Sequence, residues 1–113
     1  MNHSVVGKDG NNRIWFKSDW CLTDITGAVN FYVQDESFLW SKWLRIFATV
    51  PYNKSLHGTV KNSQGHVYEP ALYNVTIGWY NTIQQASMAM EQLMPLLGIL
   101  EINPLDGLPY MRK

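Results

Sequence analysis

The stretch "WLRIFATV", Trp43 to Val50, alternates between two kinds of side chain with a period of two residues. One side carries Leu44, Ile46, Ala48 and Val50, and the other carries Trp43, Arg45, Phe47 and Thr49. This period is that of a β-strand with one buried face. Pro51 has no N–H to donate, so the pattern predicts a strand that ends there.

Further strands are predicted on both sides of this one. Upstream, "GKDGNN" (7–12) is a turn signal, residues 13–22 predict a strand with Ile14 and Phe16 inward, and "AVNFYVQ" predicts another. Downstream, residues 56–69 predict a hairpin with Gly65 in its loop. "ALYNVTIGWY" (71–80) predicts a strand whose alternation places Tyr73, Val75, Ile77 and Trp79 on one face.

The segment 82–97 predicts a helix. Thr82 and Gln85 have the spacing of a capping box, and helical periodicity defines an inward apolar stripe. That stripe comprises Ile83, Ala86, Met90, Leu93, Met94 and Leu97. Pro95 removes a helical hydrogen bond, so we expect a kink or break there, which would also allow Leu96 and Ile99 to turn inward.

These elements predict an α+β fold. We expect an antiparallel sheet of five or six strands with one C-terminal helix, kinked or broken near Pro95, packed across it. Residues 1–102 would form one domain and residues 103–113 an extended tail. The segment 35–43, "DESFLWSKW", fits a short helix capped by Asp35 as well as a strand.

Charge is distributed unevenly. Nine cations balance nine anions, yet no Lys or Arg occurs between Asn62 and Met111. The outer face of the helix is correspondingly poor in charge and rich in Met, Gln and Leu, a composition typical of interface cores. We therefore predict a partner surface on the helix back, the tail and one strand face. Its residues are Met88, Gln92, Leu96, Ile99, Leu108, Tyr110, Trp43, Arg45 and Phe47. On this hypothesis Leu96→Glu abolishes association without unfolding, whereas Met90→Glu unfolds the chain.

Single-stranded nucleic acid is the first alternative. Two predicted strands interleave cations with aromatic rings, the pattern on which bases stack while cations follow phosphates. The residues are Arg13, Trp15, Lys17, Trp43, Arg45 and Phe47. A net charge of zero and the cation-free segment weigh against it.

Catalytic and metal-binding motifs are absent from the sequence. A site assembled from His57, His66 and Glu69 is the remaining enzymatic or metal alternative, since all three lie in or beside one predicted hairpin. The single Cys21 excludes an intramolecular disulfide. No cofactor is predicted.

The sequence thus favours a non-enzymatic protein-binding domain, either a homo-oligomer or a stoichiometric partner or inhibitor of a larger protein. Its motif-free, aromatic-rich and neutral character is typical of small viral or mobile-element accessory or structural proteins. The N-terminus carries no apolar run of signal-peptide length, and no segment has 18 uninterrupted apolar residues. We therefore expect a cytoplasmic chain that is not secreted and does not enter a membrane.

Overall fold

A computed structural model describes residues 4–97, and these form an α+β fold with antiparallel sheets and a C-terminal helix. The first sheet contains β1 (Val5–Lys8), β2 (Ile14–Lys17) and β3 (Leu22–Asp24) in sequential order. The second has the order β4 (Asn30–Asp35), β5 (Leu44–Pro51) and β8 (Leu72–Tyr80). Between β5 and β8 lie a short helix, α1 (Lys54–His57), and a hairpin of β6 (Val60–Lys61) and β7 (Val67–Tyr68).

The expectation of one sheet with five or six strands is wrong. The strand predicted across residues 13–22 turns back at Ser18 and becomes two strands of a separate sheet. There the Ser18 N–H donates to the Cys21 carbonyl oxygen over 2.9 Å, and the Ser18 hydroxyl accepts from the Cys21 N–H over 3.3 Å. Ser and Asp residues favour such turns because their side chains compete for backbone amides.

The strand predicted over residues 43–50 is confirmed as β5, which pairs with β4 on one side and β8 on the other. Its alternation is also confirmed: the Leu44, Ile46, Ala48 and Val50 side is buried, and the Trp43, Arg45, Phe47 and Thr49 side is half-buried. The hairpin of β6 and β7 forms with Gly65 at φ 85°, a backbone conformation that glycine adopts without strain.

A β-bulge interrupts the pairing of β8 with β5. Phe47 pairs with Thr76 and Ile46 pairs with Gly78, so Ile77 is an extra residue in β8. An extra residue reverses the alternation beyond it. The prediction that Trp79 shares a face with Ile77 is therefore wrong: Ile77 is fully buried, whereas Trp79 pairs with Arg45 on the opposite face.

The predicted helix is α2 (Ile83–Leu93), and it begins as the capping motif predicts, with the Thr82 hydroxyl accepting from the Gln85 N–H over 3.1 Å. It gives way at Pro95 to a 3-10 turn, Met94–Leu96. The inward stripe differs from the predicted one, because Ile83 and Met94 are exposed and Ala89 is buried. Ala86 and Ala89, which have small side chains, allow a close approach of the helix to the sheet.

One hydrophobic core joins the two sheets and α2. Its fully buried large side chains are Phe16, Ile25, Ile46, Ile77, Tyr80 and Leu93. The first sheet also meets the second through the Thr23 hydroxyl, which donates to the Thr76 carbonyl oxygen over 3.4 Å. Packing of β2, β5, β8 and α2 on shared side chains leaves the far face of the second sheet free to carry a site. The tail assigned to residues 103–113 lies outside the described residues.

Candidate functional site: an aromatic sheet face and an apolar turn

The aromatic face is the side of the second sheet turned away from the core. We define it by residues of β4, β5, β8 and the β2–β3 turn, together with the residue that precedes β5. Its members are Tyr32, Trp43, Arg45, Phe47, Trp79 and Trp20. Tyr32 and Phe47 stack across β4 and β5 with ring centroids 4.9 Å apart and planes 12° apart. The predicted strand face is thus present, and the bulge adds Trp79 to it.

Arg45 lies at the centre of this face, held from several sides. Its guanidinium carbon is 4.4 Å from the Phe47 ring centroid and 4.9 Å from that of Trp79. Its Nε donates to the Thr76 hydroxyl over 2.6 Å, and its Nη1 pairs with Glu36 over 3.2 Å. Glu36 balances the charge of Arg45, so this part of the face carries no uncompensated cation.

Three tryptophans line an open depression at one end of the face. The ring centroids of Trp20 and Trp43 are 5.9 Å apart with planes at 79°, and those of Trp43 and Trp79 are 6.3 Å apart with planes at 90°. Among the described residues, these three indoles alone line a void of about 210 Å³, which we call the tryptophan pocket. Its walls offer aromatic surface.

The turn between β4 and β5 presents three large apolar side chains to solvent. Phe38, Leu39 and Trp40 are 71%, 75% and 95% exposed, and we call them the apolar turn. Two hydrogen bonds of 2.9 Å order the turn: the Phe38 N–H donates to the Ser41 carbonyl oxygen, and the Ser41 N–H donates to the Phe38 carbonyl oxygen. At its base, hydrogen bonds from the Ser37 hydroxyl and N–H lower the pKa of Asp35 below its ordinary value. The segment 35–43 therefore connects β4 to β5 through a tight turn at Phe38–Ser41, and of the two alternatives for it the short helix does not form, while only Asp35 belongs to a strand.

Leu39 has an unusual backbone conformation for a branched side chain. Its φ is 53°, in the left-handed region where side chains other than glycine and asparagine are strained. Folding thus keeps a strained residue at the tip of an exposed apolar turn. Strain of this kind concentrates at sites where geometry serves a function.

The helix back divides into three parts. Met88 and Gln92 are exposed, as predicted for a partner surface. Leu96 is half-buried and packs against the core, because the 3-10 turn at Pro95 redirects it. Leu96→Glu should therefore destabilise the fold, in agreement with the alternative that Pro95 turns Leu96 inward and contrary to the partner-surface hypothesis. Ile99, Leu108 and Tyr110 lie outside the described residues.

The side of α2 away from Met88 and Gln92 carries an apolar groove that the sequence analysis did not predict. It has a volume of about 590 Å³ and lies between α2 and the edge strand β4. We call it the helix groove, and it is lined mainly by Val33, Leu44, Ile83, Met90, Met94 and Pro95. The two helix residues wrongly assigned to the core, Ile83 and Met94, are part of this lining.

The residues of the nucleic-acid alternative fall on two different sheets. Arg13 immediately precedes β2, which carries Trp15 and Lys17, and the remaining three belong to the aromatic face. The Nε of Arg13 pairs with Asp24 over 2.8 Å, and the Trp15 indole N–H donates to Asp9 over 2.8 Å. Each of the two arginines therefore already has a carboxylate partner.

The residues of the metal alternative are not brought together. His57 stacks on Tyr73 with centroids 4.6 Å apart, and its Nδ1 accepts from the Asn53 N–H over 3.0 Å. His66 and Glu69 are exposed on the β6–β7 hairpin and its continuation. Within residues 4–97, no group of three His, Cys, Asp or Glu side chains is placed to hold a metal ion.

Several site residues were missed in the sequence. The turn signals that mark them are short: Ser18 and Asp19 before Trp20, and Asp35 and Ser37 before the apolar turn. Trp79 had no such signal, because a bulge is set by pairing with another strand.

The chain matches no protein-family model, and comparison with curated proteins and with solved structures gives no match. Within residues 4–97, no helix has both the length and the apolar character that a membrane crossing requires.

Proposed function

We propose that this chain is a non-enzymatic protein-binding domain whose contact surface is the apolar turn together with the adjoining aromatic face. The observation that supports this most directly is the exposure of Phe38, Leu39 and Trp40 in an ordered turn. Large apolar side chains exposed side by side lower the free energy of a complex when a partner covers them. Tryptophan is also among the side chains that contribute most to binding at protein interfaces.

Order in the turn favours recognition over accidental exposure. Its backbone is fixed by two hydrogen bonds, so little conformational entropy is lost when a partner binds. The aromatic face beside it is held by Arg45, which contacts Phe47, Trp79, Thr76 and Glu36. A preorganised surface of this kind suits a partner with an apolar pocket.

A second copy of the chain is the partner we propose first. The helix groove offers an apolar depression of about 590 Å³, and the apolar turn offers three side chains to fill it. Two copies that each place the apolar turn in the other's groove would form a symmetric dimer, the commonest type of homo-oligomer. A larger protein with a similar pocket would be bound as a stoichiometric partner.

Light scattering across a tenfold concentration range tests this proposal. We expect the wild-type chain to associate and the double variant Phe38→Ser/Trp40→Ser to stay monomeric with an unchanged circular dichroism spectrum. Leu22→Ser is the matched control, because Leu22 is an exposed apolar residue on the other sheet. If the wild-type chain is monomeric, crosslinking in a cell extract should capture a protein that the double variant fails to capture. Equal behaviour of wild type and double variant in both assays would contradict the proposal.

Single-stranded nucleic acid is the second candidate, supported by the stacked rings and the central arginine of the aromatic face. Titration with a labelled oligonucleotide at two salt concentrations tests it. Binding to phosphates weakens steeply as salt rises, whereas an apolar protein interface is much less sensitive.

A further inference from the structure

We propose that the tryptophan pocket binds a quaternary ammonium group. This site lies within the aromatic face but apart from the apolar turn, and the proposal does not depend on the proposed protein-binding function. The pocket is formed by Trp20 from the β2–β3 turn, Trp43 next to β5, and Trp79 from β8. Its specificity follows from the shape and the chemistry of these walls.

The ring arrangement suits a compact cation. Adjacent rings are nearly perpendicular, at 79° and 90°, with centroids 5.9 and 6.3 Å apart. A cation in the corner between two such rings lies within the roughly 6 Å of both centroids at which cation–π attraction is significant. A void of about 210 Å³ is also below the roughly 300 Å³ at which pockets for whole drug-sized ligands begin. A single head group is the appropriate size.

The lack of polar lining selects among cations. The N–H groups of a primary ammonium or a guanidinium that turn toward the walls would lose their hydrogen bonds to water, because the described residues that line this open pocket are indoles alone. A fully methylated nitrogen has no N–H to satisfy, so it enters such a pocket without that cost. The negative potential over an indole face then favours it over an uncharged group of the same shape.

Arg45 shows that one of these rings, that of Trp79, already attracts a cation. Its guanidinium carbon lies 4.9 Å from the Trp79 centroid, while its N–H groups find acceptors in Thr76 and Glu36. Because Glu36 neutralises Arg45, a second cation at the pocket meets little net repulsion. The Trp79 ring therefore contacts Arg45 in the fold and would also contact a ligand within the pocket.

Titration of the chain with choline, followed by NMR of the tryptophan indole N–H signals, tests this proposal. The comparison ligand is 3,3-dimethylbutanol, which has the same shape without the charge. We expect choline to shift the Trp20, Trp43 and Trp79 signals saturably and to bind about tenfold or more tightly than the neutral alcohol. Equal binding of the two ligands, or no shift at these three signals, would overturn it.

Two variants separate this site from the apolar turn. Trp20 is 59% exposed, so Trp20→Ala should leave the chain folded and weaken choline binding about tenfold, with partial recovery in Trp20→Phe. Trp40→Ala, a matched control outside the pocket, should bind choline as the wild type does. Choline binding of wild-type affinity in Trp20→Ala contradicts the assignment of the pocket. Phe38→Ser/Trp40→Ser should bind choline normally, so failure of either proposal can be recognised independently.

Two further probes identify the natural source of the group. A peptide containing trimethyl-lysine and vesicles of phosphatidylcholine carry the same head group on different molecules. Tighter binding of one of them than of choline assigns the source. Equal or weaker binding of both, with choline still bound, assigns the pocket to a free quaternary ammonium solute.

Discussion

Leu39 holds a left-handed backbone conformation at the tip of the apolar turn, with φ at 53°. Glycine adopts this conformation without the steric cost that a Cβ brings, which is on the order of 1 kcal/mol. We therefore expect Leu39→Gly to leave the free energy of unfolding in urea unchanged or raise it by up to about 1 kcal/mol, while it weakens partner binding. A clear loss of stability would show that Leu39 contributes to the fold.

Gly78 is required because of the ring of Tyr80. A Cβ at position 78 would lie 2.8 Å from Cε2 and from the hydroxyl oxygen of Tyr80, a ring that is almost fully buried and would have to shift. We expect Gly78→Ala to lower the free energy of unfolding by about 1–3 kcal/mol, measured by urea denaturation. The control is Gly7→Ala, where a Cβ meets nothing within 4 Å. Similar losses in both variants would contradict this account.

Asp24 connects β3 to Arg13 and Thr26. Burial alone would raise the pKa of Asp24, but hydrogen bonds from Thr26 and the Arg13 guanidinium outweigh it, so the pKa is lowered. A lowered pKa adds stability above the unfolded pKa, and this stability is lost as the pH falls through the folded pKa. We expect Asp24→Asn to be less stable than wild type near neutral pH, with the difference shrinking as the pH falls toward 3. Denaturation curves across this range would show a constant difference if Asp24 had an ordinary pKa.

The helix α2 provides a matched pair of methionines on different sides. Met90 is half-buried and packs against the core, whereas Met88 is 63% exposed. Met90→Glu should lower the free energy of unfolding by about 2–3 kcal/mol, because a carboxylate there loses water without gaining a partner. Met88→Glu should change it by less than about 0.5 kcal/mol. Equal effects of the two substitutions in thermal or urea denaturation would contradict the placement of Met90 on the core side of α2 and Met88 on the solvent side.

Strands and the helix were predictable at the scale of single elements because their side-chain periodicity is local. The alternation over residues 43–50 locates β5, and Thr82 with Gln85 locates the start of α2. Features that depend on a neighbouring element were not predictable. The rotation of α2 is set by how closely Ala86 and Ala89 approach the sheet, and the facing of Trp79 is set by its pairing with β5.

The candidate site shows the same limit. The alternation identified Trp43, Arg45 and Phe47 as one strand face, and the structure confirms that they lie together. The β2–β3 turn, which carries Trp20, and the apolar turn both depend on single Ser and Asp residues. The preference of these residues for turns is weak compared with that of Gly or Pro. A surface that combines several elements is therefore set by how the chain arranges those elements, which the local sequence pattern does not reveal.

For the whole molecule, a formal net charge of zero and an isoelectric point near 6.8 leave little repulsion between copies at neutral pH. We expect solubility to be lowest near pH 6.8 and to rise on either side, because charge repulsion then opposes contact between exposed apolar turns. Turbidity measured against pH should peak where solubility is lowest, and Phe38→Ser/Trp40→Ser should lower that peak. A solubility maximum near pH 6.8 would contradict the prediction.

The bulge in β8 also bears on how the gene for this chain can change. Beyond Ile77 the strand pairs as if that residue were absent, since Thr76 and Gly78 oppose consecutive residues of β5. Loss of the codon for Ile77 would therefore remove core volume but leave Trp79 on the same face of the sheet. Loss of a codon elsewhere in this strand would exchange inward and outward side chains on one side of the change. Position 77 is thus the place in β8 where the loss of one residue preserves the alternation of inward and outward side chains.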